Sequence, residues 1–477
     1  MALGETDRLL PDNGPNDEPH RHAAPPNPLP RVQLGVVYAI KLIIPIAGTQ
    51  VYPYINLLVA ELASSEGAKT GYYSGLVGSA SAAAHLLTIY LWGRLSDKYG
   101  RKPVIIIGTA GTAFFTVLFG FSRSFITVLL TRFLTGIFSG TTGAIHSVVG
   151  ELADPTNEST AFPLYDIVSA IGFAVGPLIG GTFVNPADQF PGWFDTPFWR
   201  TYKYLLPSLV TSLVALVALF LAVFVLEETH PTKRRSRIAL INEVPSEDED
   251  VREEADVSGK PLGVRTLLSM PVVRMVCASS GALAFVAGCF NTGFVLQAYT
   301  PISDGGLALS PSEIGRAMAI MGTVSMFLKL SMPFLLRRFG VLTVFRFCML
   351  SWPVTFAFMA MLSIIAKHSE MAEGKALEWT AVSFVLFLSR IGCMAFSIIM
   401  ILTKDHTPGT SSLGTTNGMA EFAQSLASVF SPTIISSLFA FSSSKHILGG
   451  YFWVIVMVGI TLLGGSFAEG MKKYRDD

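Results

Sequence analysis

Among the ionisable side chains inside the long apolar runs of this 477-residue chain are Lys41, His85, Arg132, Asp166, Arg390 and Glu421. A charge at the middle of a bilayer costs at least ~2.5 kcal/mol. Each such group therefore needs a partner, a water-filled cavity or a route to the interface. Arg390 lies halfway along its run and cannot easily snorkel. For Lys41, Arg132, Arg390 and Glu421 two readings stay open: groups of a transport cavity, or buried ion pairs that hold helices together. Asp166 is near one end of its run, where it serves either proton coupling or the helix terminus. An unperturbed histidine titrates near neutral pH, so His85 either carries a proton or packs through a hydrogen bond. Lys329 and Arg346 read as structural, Arg346 by snorkelling. Three deep cations against one deep anion would draw in an organic anion or a zwitterion. No His, Cys, Asp and Glu set has metal-ligand spacing, and no Gly-x-x-x-x-Gly-Lys-Ser/Thr phosphate loop occurs. No nucleophile–base set stands out either. An enzyme, a resident metal and a cofactor are thus not expected.

These groups are held by unusually apolar elements. The chain is 51% hydrophobic and 14% charged, with mean hydropathy +0.51; soluble domains carry roughly 25% charged residues. Runs of about 20 apolar residues cross a bilayer as helices. Barrel strands would alternate with period two, and these runs do not. Twelve spans are expected, near 33–55, 71–93, 103–121, 125–149, 161–184, 203–226, 270–296, 313–336, 341–364, 378–401, 413–438 and 449–468. The chain then divides into a disordered tail (1–30), a six-helix half (31–226), a charged linker (227–266), a second six-helix half (267–470) and a short tail (471–477). The linker holds "KRRSR" and "SEDEDVREEAD", and blocks of like charge stay solvated. All four cysteines fall inside spans and read as free apolar packers. Net charge is zero, and no nucleic-acid surface is indicated.

Lys and Arg in short loops favour the cytoplasm. The loop 94–102, the linker, "RRFG" at 337–340 and "KKYR" at 472–475 then lie on one side with both termini. "LLRRFGVL" is a worn copy of the loop after the second span, as expected if the halves are repeats.

That loop reads "GRLSDKYGRKP". It resembles the loop 2–3 signature of the major facilitator superfamily, with Gly93, Asp97, Gly100, Arg101 and Lys102 at its main positions. "TRFLTGIFSG" resembles the fourth-span signature, with Arg132 and Gly136. "GFAVGPLIGG" resembles the fifth-span antiporter signature, with Gly172, Gly176, Pro177, Gly180 and Gly181. Within the superfamily the chain is most similar to the fungal twelve-span drug:proton antiporter group, near zinc-induced-facilitator-like and tetracycline-efflux-like members. It departs at two prolines: Ile44 precedes Pro45 where that group often has an acid, and Phe430 and Ser431 precede Pro432 where a basic residue is common.

The resemblance implies an all-α membrane fold of twelve helices in two halves. It also implies proton-coupled export of a small organic solute across the bilayer by a monomer. A facilitator without proton coupling and a transporter-like sensor or scaffold are the alternatives. The loop residues 93–102 are then a cytoplasmic gate, with Asp97 set against the N-terminus of the eleventh span near Ser412. Gly172, Gly176 and Gly180, four apart, form a bare face; with Pro177 they are expected to make a hinge packed on a helix of the other half, the alternative being ordinary tight packing. "ETDRLL" resembles an acidic dileucine sorting signal, through Glu5, Leu9 and Leu10. The expected location is the plasma membrane or the vacuolar membrane.

Overall fold

The computed structural model describes residues 29–62, 68–153, 158–230, 263–372, 375–407 and 412–473. The sorting motif at Glu5, Leu9 and Leu10 lies outside them, as do most of the linker and the tails.

The described residues are helical throughout, without strands. The twelve spans form α1 (Arg31–Thr49), α2 (Ala68–Tyr99), α3 (Arg101–Gly120), α4 (Phe125–Leu152), α5 (Glu158–Phe183) and α6 (Leu205–Phe224). They continue with α7 (Pro271–Tyr299), α8 (Pro311–Phe339), α9 (Val341–Ala372), α10 (Lys375–Lys404), α11 (Leu413–Ser444) and α12 (Phe452–Lys473). Among the described residues, eleven helices are long and apolar enough to cross a membrane; α12 has a shorter apolar stretch, Phe452–Phe467. The first span is interrupted. Its helix stops at Thr49, turns, and resumes as Ile55–Leu62.

The helices alternate in direction, which defines two ends of the bundle. The basic end carries Arg94, Lys98, Arg101 and Lys102 and the corresponding Arg337, Arg338 and Arg346. The other is called the far end. The repeat seen in the sequence is present in the backbone. α2 gives way to α3 at Gly100 with φ +107°, and α8 gives way to α9 at Gly340 with φ +78°. Only glycine takes such angles without strain. At the far end, α4 and α8 each start in a serine capping box, at Ser124 and Ser310, which satisfies exposed helix-end amides.

In the second half, Phe290, Phe294, Trp352 and Phe356 interlock in one buried aromatic stack. The cysteines are free as expected: Cys277, Cys289 and Cys348 are buried, and Cys393 is partly so. Between the halves, α2 lies along α11 and α5 along α8. These two seams frame the candidate site.

Candidate functional site

At the far end the seams close on bare backbone. In α2, a Cβ added at Gly75 would lie 2.7 Å from the Pro432 carbonyl oxygen of α11. In α5, one added at Gly181 would lie 3.0 Å from the Gly315 Cα of α8. Asn56 donates to the Val295 carbonyl across the halves at 3.2 Å, and Ser79 bonds Thr433 at 2.8 Å. Outside this closure lies a vestibule of about 830 Å3, with Glu61, Asp304 and Glu313 on its wall.

The expected partner of the α5 glycines needs correction. A Cβ at Gly172 would strike Pro45, one at Gly176 Thr49, and one at Gly180 the Gln50 carbonyl. All three belong to the first span of the same half. Residues Pro177 and Gly181 meet the other half instead: the Pro177 carbonyl and Gly181 both abut Gly315. The reason is angular. Neighbouring helix positions point about 100° apart, so the 172/176/180 stripe and the 177/181 stripe face different neighbours.

The intramembrane charges sort by depth. Lys41 is ten residues from Arg31, Asp166 eight from Glu158, Lys329 ten from Phe339 and Glu421 eight from Leu413. At 1.5 Å per residue, all four lie about 12–15 Å in from the basic end. They come from α1 and α5 of one half and α8 and α11 of the other. Lys329 Nζ is 3.6 Å from Asp166 Oδ2, and Ser397 of α10 donates to the same oxygen at 3.2 Å. Lys41 Nζ lies 4.4 Å from the centre of the Tyr165 ring, against which the His146 ring packs edge-on at 5.5 Å. Lys41 is within electrostatic range of Asp166, Glu421 and Lys329. Glu421 is exposed, and its charged neighbour Lys41 belongs to the opposite half.

Arg132, Arg390 and His85 lie outside this layer. Arg132 is seven residues from the far end of α4 and only 7% exposed. Its one described hydrogen bond, to the Ala47 carbonyl, is 3.5 Å long, and its Nε has no partner. Phe119 lies under the guanidinium at 6.0 Å. A cavity of about 30 Å3, bordered by Tyr52, Asn56 and Thr292, touches it. Arg390 is buried at mid-depth, bonded to Ser389 at 3.2 Å and Asn291 at 3.5 Å. Among the described residues neither arginine pairs with a carboxylate. His85 bonds Ser139 at 3.2 Å, joining α2 to α4 within one half, as a packing histidine does.

At the basic end, the signature loop is a charge network. Arg101 pairs with Asp97 at 2.6 Å and with Glu151 at 3.0 Å. Glu228, just past α6, accepts from the backbone amides of Arg101 at 2.8 Å and Lys102 at 3.2 Å. It thereby caps α3, where a carboxylate suits the helix dipole. Gly100 is obligatory here, since a Cβ would strike the Glu228 carboxylate. Gly93 has open space around it. Among the described residues, Asp97 meets Arg101 rather than the start of α11, and its side chain is 68% exposed. With Asp97 in solvent, this i,i+4 pair is worth only about 0.3–0.5 kcal/mol. Asp97→Asn should therefore melt within a degree or so of wild type; the expected gate would in addition make it transport several-fold more slowly, and normal flux would remove that expectation.

Sequence reasoning missed Tyr165, Ser397 and Glu228. Aromatic and hydroxyl groups in apolar runs carry no signal of their own. Only the adjacency of Tyr165 to Asp166 could have drawn notice.

Residues 42–366 match the family model of the Major Facilitator Superfamily. The chain belongs to the major facilitator superfamily. It is 38% identical over 466 residues to the major facilitator-type transporter psiT2 of Psilocybe cubensis, covering 92% of this chain and 89% of that one. It is 27% identical to the multidrug transporter mfsB of Aspergillus fumigatus, covering 90% and 82%. Its fold is that of a solved D-xylose-proton symporter, with TM-score 0.68, 12% identity, and 92% and 96% of the chains covered. The superfamily protein is thus an integral, multi-pass membrane transporter of small molecules and not an enzyme. The expected fold of twelve helices in two halves holds.

Proposed function

We propose that the protein exports a small organic solute from the cytosol in exchange for protons, by alternating access to a site between its halves. The observation that carries this is the shared layer of Lys41, Asp166, Lys329 and Glu421, built by helices of both halves at one depth. The efflux sense draws on the similarity to mfsB, a multidrug transporter by name. The positive-inside rule puts the basic end and both termini in the cytosol. The far-end glycine contacts then describe a transporter closed to the outside. The 31–226 and 267–470 halves rock about the layer, with 227–266 as the cytosolic tether. The protein acts as a monomer in the plasma or vacuolar membrane.

Asp166 is assigned the proton. When ionised it holds Lys329 and Ser397 across the α5/α8 seam. When protonated it loses the ionic part of that contact, which frees α8 to move.

Metabolite profiles of medium, cytosol and vacuole in cells lacking the protein identify the cargo. In proteoliposomes, collapsing the pH gradient should then stop uphill movement of that compound. Asp166→Asn should carry it only downhill, indifferent to the gradient. Gradient-independent accumulation by the wild type would remove proton antiport; unchanged coupling in Asp166→Asn would move the proton to another group.

A further inference from the structure

The four charges of the Lys41 layer are not used alike. Asp166 and Lys329 are committed to each other. Among the described residues Lys41 makes no ion pair, only the face contact with Tyr165. Glu421, of opposite sign and at the same depth, pairs with no cation among the described residues either. The two have not closed on each other. They stand on different halves, α1 and α11, at the same depth and within electrostatic range of each other.

Holding two separated opposite charges inside a membrane is costly unless something meets both. Lys41 covers the face of the Tyr165 ring. Tyr165 is only 6% exposed, and its buried hydroxyl has no hydrogen-bond partner. The layer thus holds a cation, an anion and an unused hydroxyl.

We propose that the transported solute is a zwitterion, its anionic group on Lys41 and its ammonium on Glu421. This rests on the layer being the transport site. A ligand carrying a single charge leaves the other protein charge desolvated and unpaired, which is how a polar site rejects a near-isostere. A zwitterion also ties α1 to α11 and draws the basic ends of the halves together. Binding and closure are thereby one event.

Matched probes separate the alternatives: an aromatic amino acid, its methyl ester and its N-acetyl derivative. They share one ring and differ in which charge is kept. Thermal shifts of the purified full-length protein with the phenylalanine, tyrosine and tryptophan series need no proton gradient. Failure here is therefore distinct from failure of antiport. At least one amino acid should stabilise the protein at about tenfold lower concentration than either derivative, about 1.4 kcal/mol. Lys41→Gln should erase the preference over the methyl ester, Glu421→Gln that over the N-acetyl compound, and Lys41→Arg should restore the wild-type order. A purely structural role for these charges would lower all affinities equally. An ester or N-acetyl compound binding as well as its parent overturns the proposal, and so does a flat response across all three series.

Discussion

Replacing Arg132 with methionine should raise the melting temperature of the purified protein while cutting transport at least about tenfold. The two halves of this expectation have separate causes. The guanidinium is buried, its Nε is unbonded, and its one hydrogen bond is at the 3.5 Å limit. No carboxylate among the described residues offsets its charge. Exchanging poorly compensated buried charge for apolar volume is commonly neutral or stabilising by about 1–4 kcal/mol. Methionine keeps most of the packing volume of the arginine stem. The loss of the Phe119 face contact subtracts about 0.5–2 kcal/mol from that gain. Transport should suffer because a charge kept at such cost must be used in another state. In the proposed cycle, opening of the far end joins the small cavity beside Tyr52, Asn56 and Thr292 to the outside, and Arg132 becomes a solvated cation on its wall. Thermal melts and flux of the variant, measured side by side, test this. A lower melting temperature would make Arg132 a structural tie and sink the argument.

Much of the fold was legible because bilayer thickness makes length a direct signal. The spans at 103–121, 125–149 and 203–226 lie within a few residues of α3, α4 and α6. The first span was less legible. It reads as one run over 33–55, but the helix stops at Thr49 and resumes at Ile55, and Pro53 in the intervening turn has no amide to continue the ladder. The echo between "GRLSDKYGRK" and "LLRRFGVL" was legible and proved to be backbone deep, in the positive φ of Gly100 and Gly340.

The candidate site was legible by residue and not by partner. Asp166 and Lys329 were each read alone, one as a helix-terminus or proton group and one as structural. Their positions, eight and ten residues from the basic ends of antiparallel helices, already placed them at one depth. Counting from loop ends was the unused signal. Partner choice around the α5 glycines was not recoverable. Spacing reveals that a face is bare, while only the three-dimensional arrangement reveals which neighbour fills it. Arg132, Arg390 and Lys41 appeared as one group of deep cations, yet they occupy three different depths. The excess of positive charge is therefore not a single field, and the local balance at the Lys41 layer is two charges of each sign.

The far-end seam of α5 and α8 yields the other large effect. Gly315→Leu should hold the protein open at the far end and abolish turnover. A Cβ at Gly315 already lies 2.6 Å from the Pro177 carbonyl and 3.0 Å from the Gly181 Cα. Both are backbone atoms and cannot rotate aside. Neighbouring Gly322 meets Ala174 in the same way, so the helix cannot slide along the seam to make room. Overpacking of this kind costs about 1–3 kcal/mol. Charged to the far-closed state alone, it shifts the two-state population by roughly 5- to 150-fold. Ser74, 6% exposed on α2 at the far-end contact with α11, reports the opening of that end. In a Ser74→Cys background, a membrane-impermeant maleimide should label slowly, and Gly315→Leu should speed labelling by that factor. Gly315→Ala meets the same backbone atoms with one carbon and should give an intermediate rate with residual flux. That graded pair distinguishes a blocked closure from a misfolded protein, since misfolding would lower the melting temperature with no graded change in labelling. Unchanged labelling in a stable, active Gly315→Leu protein would mean that the glycine contact is incidental to closure.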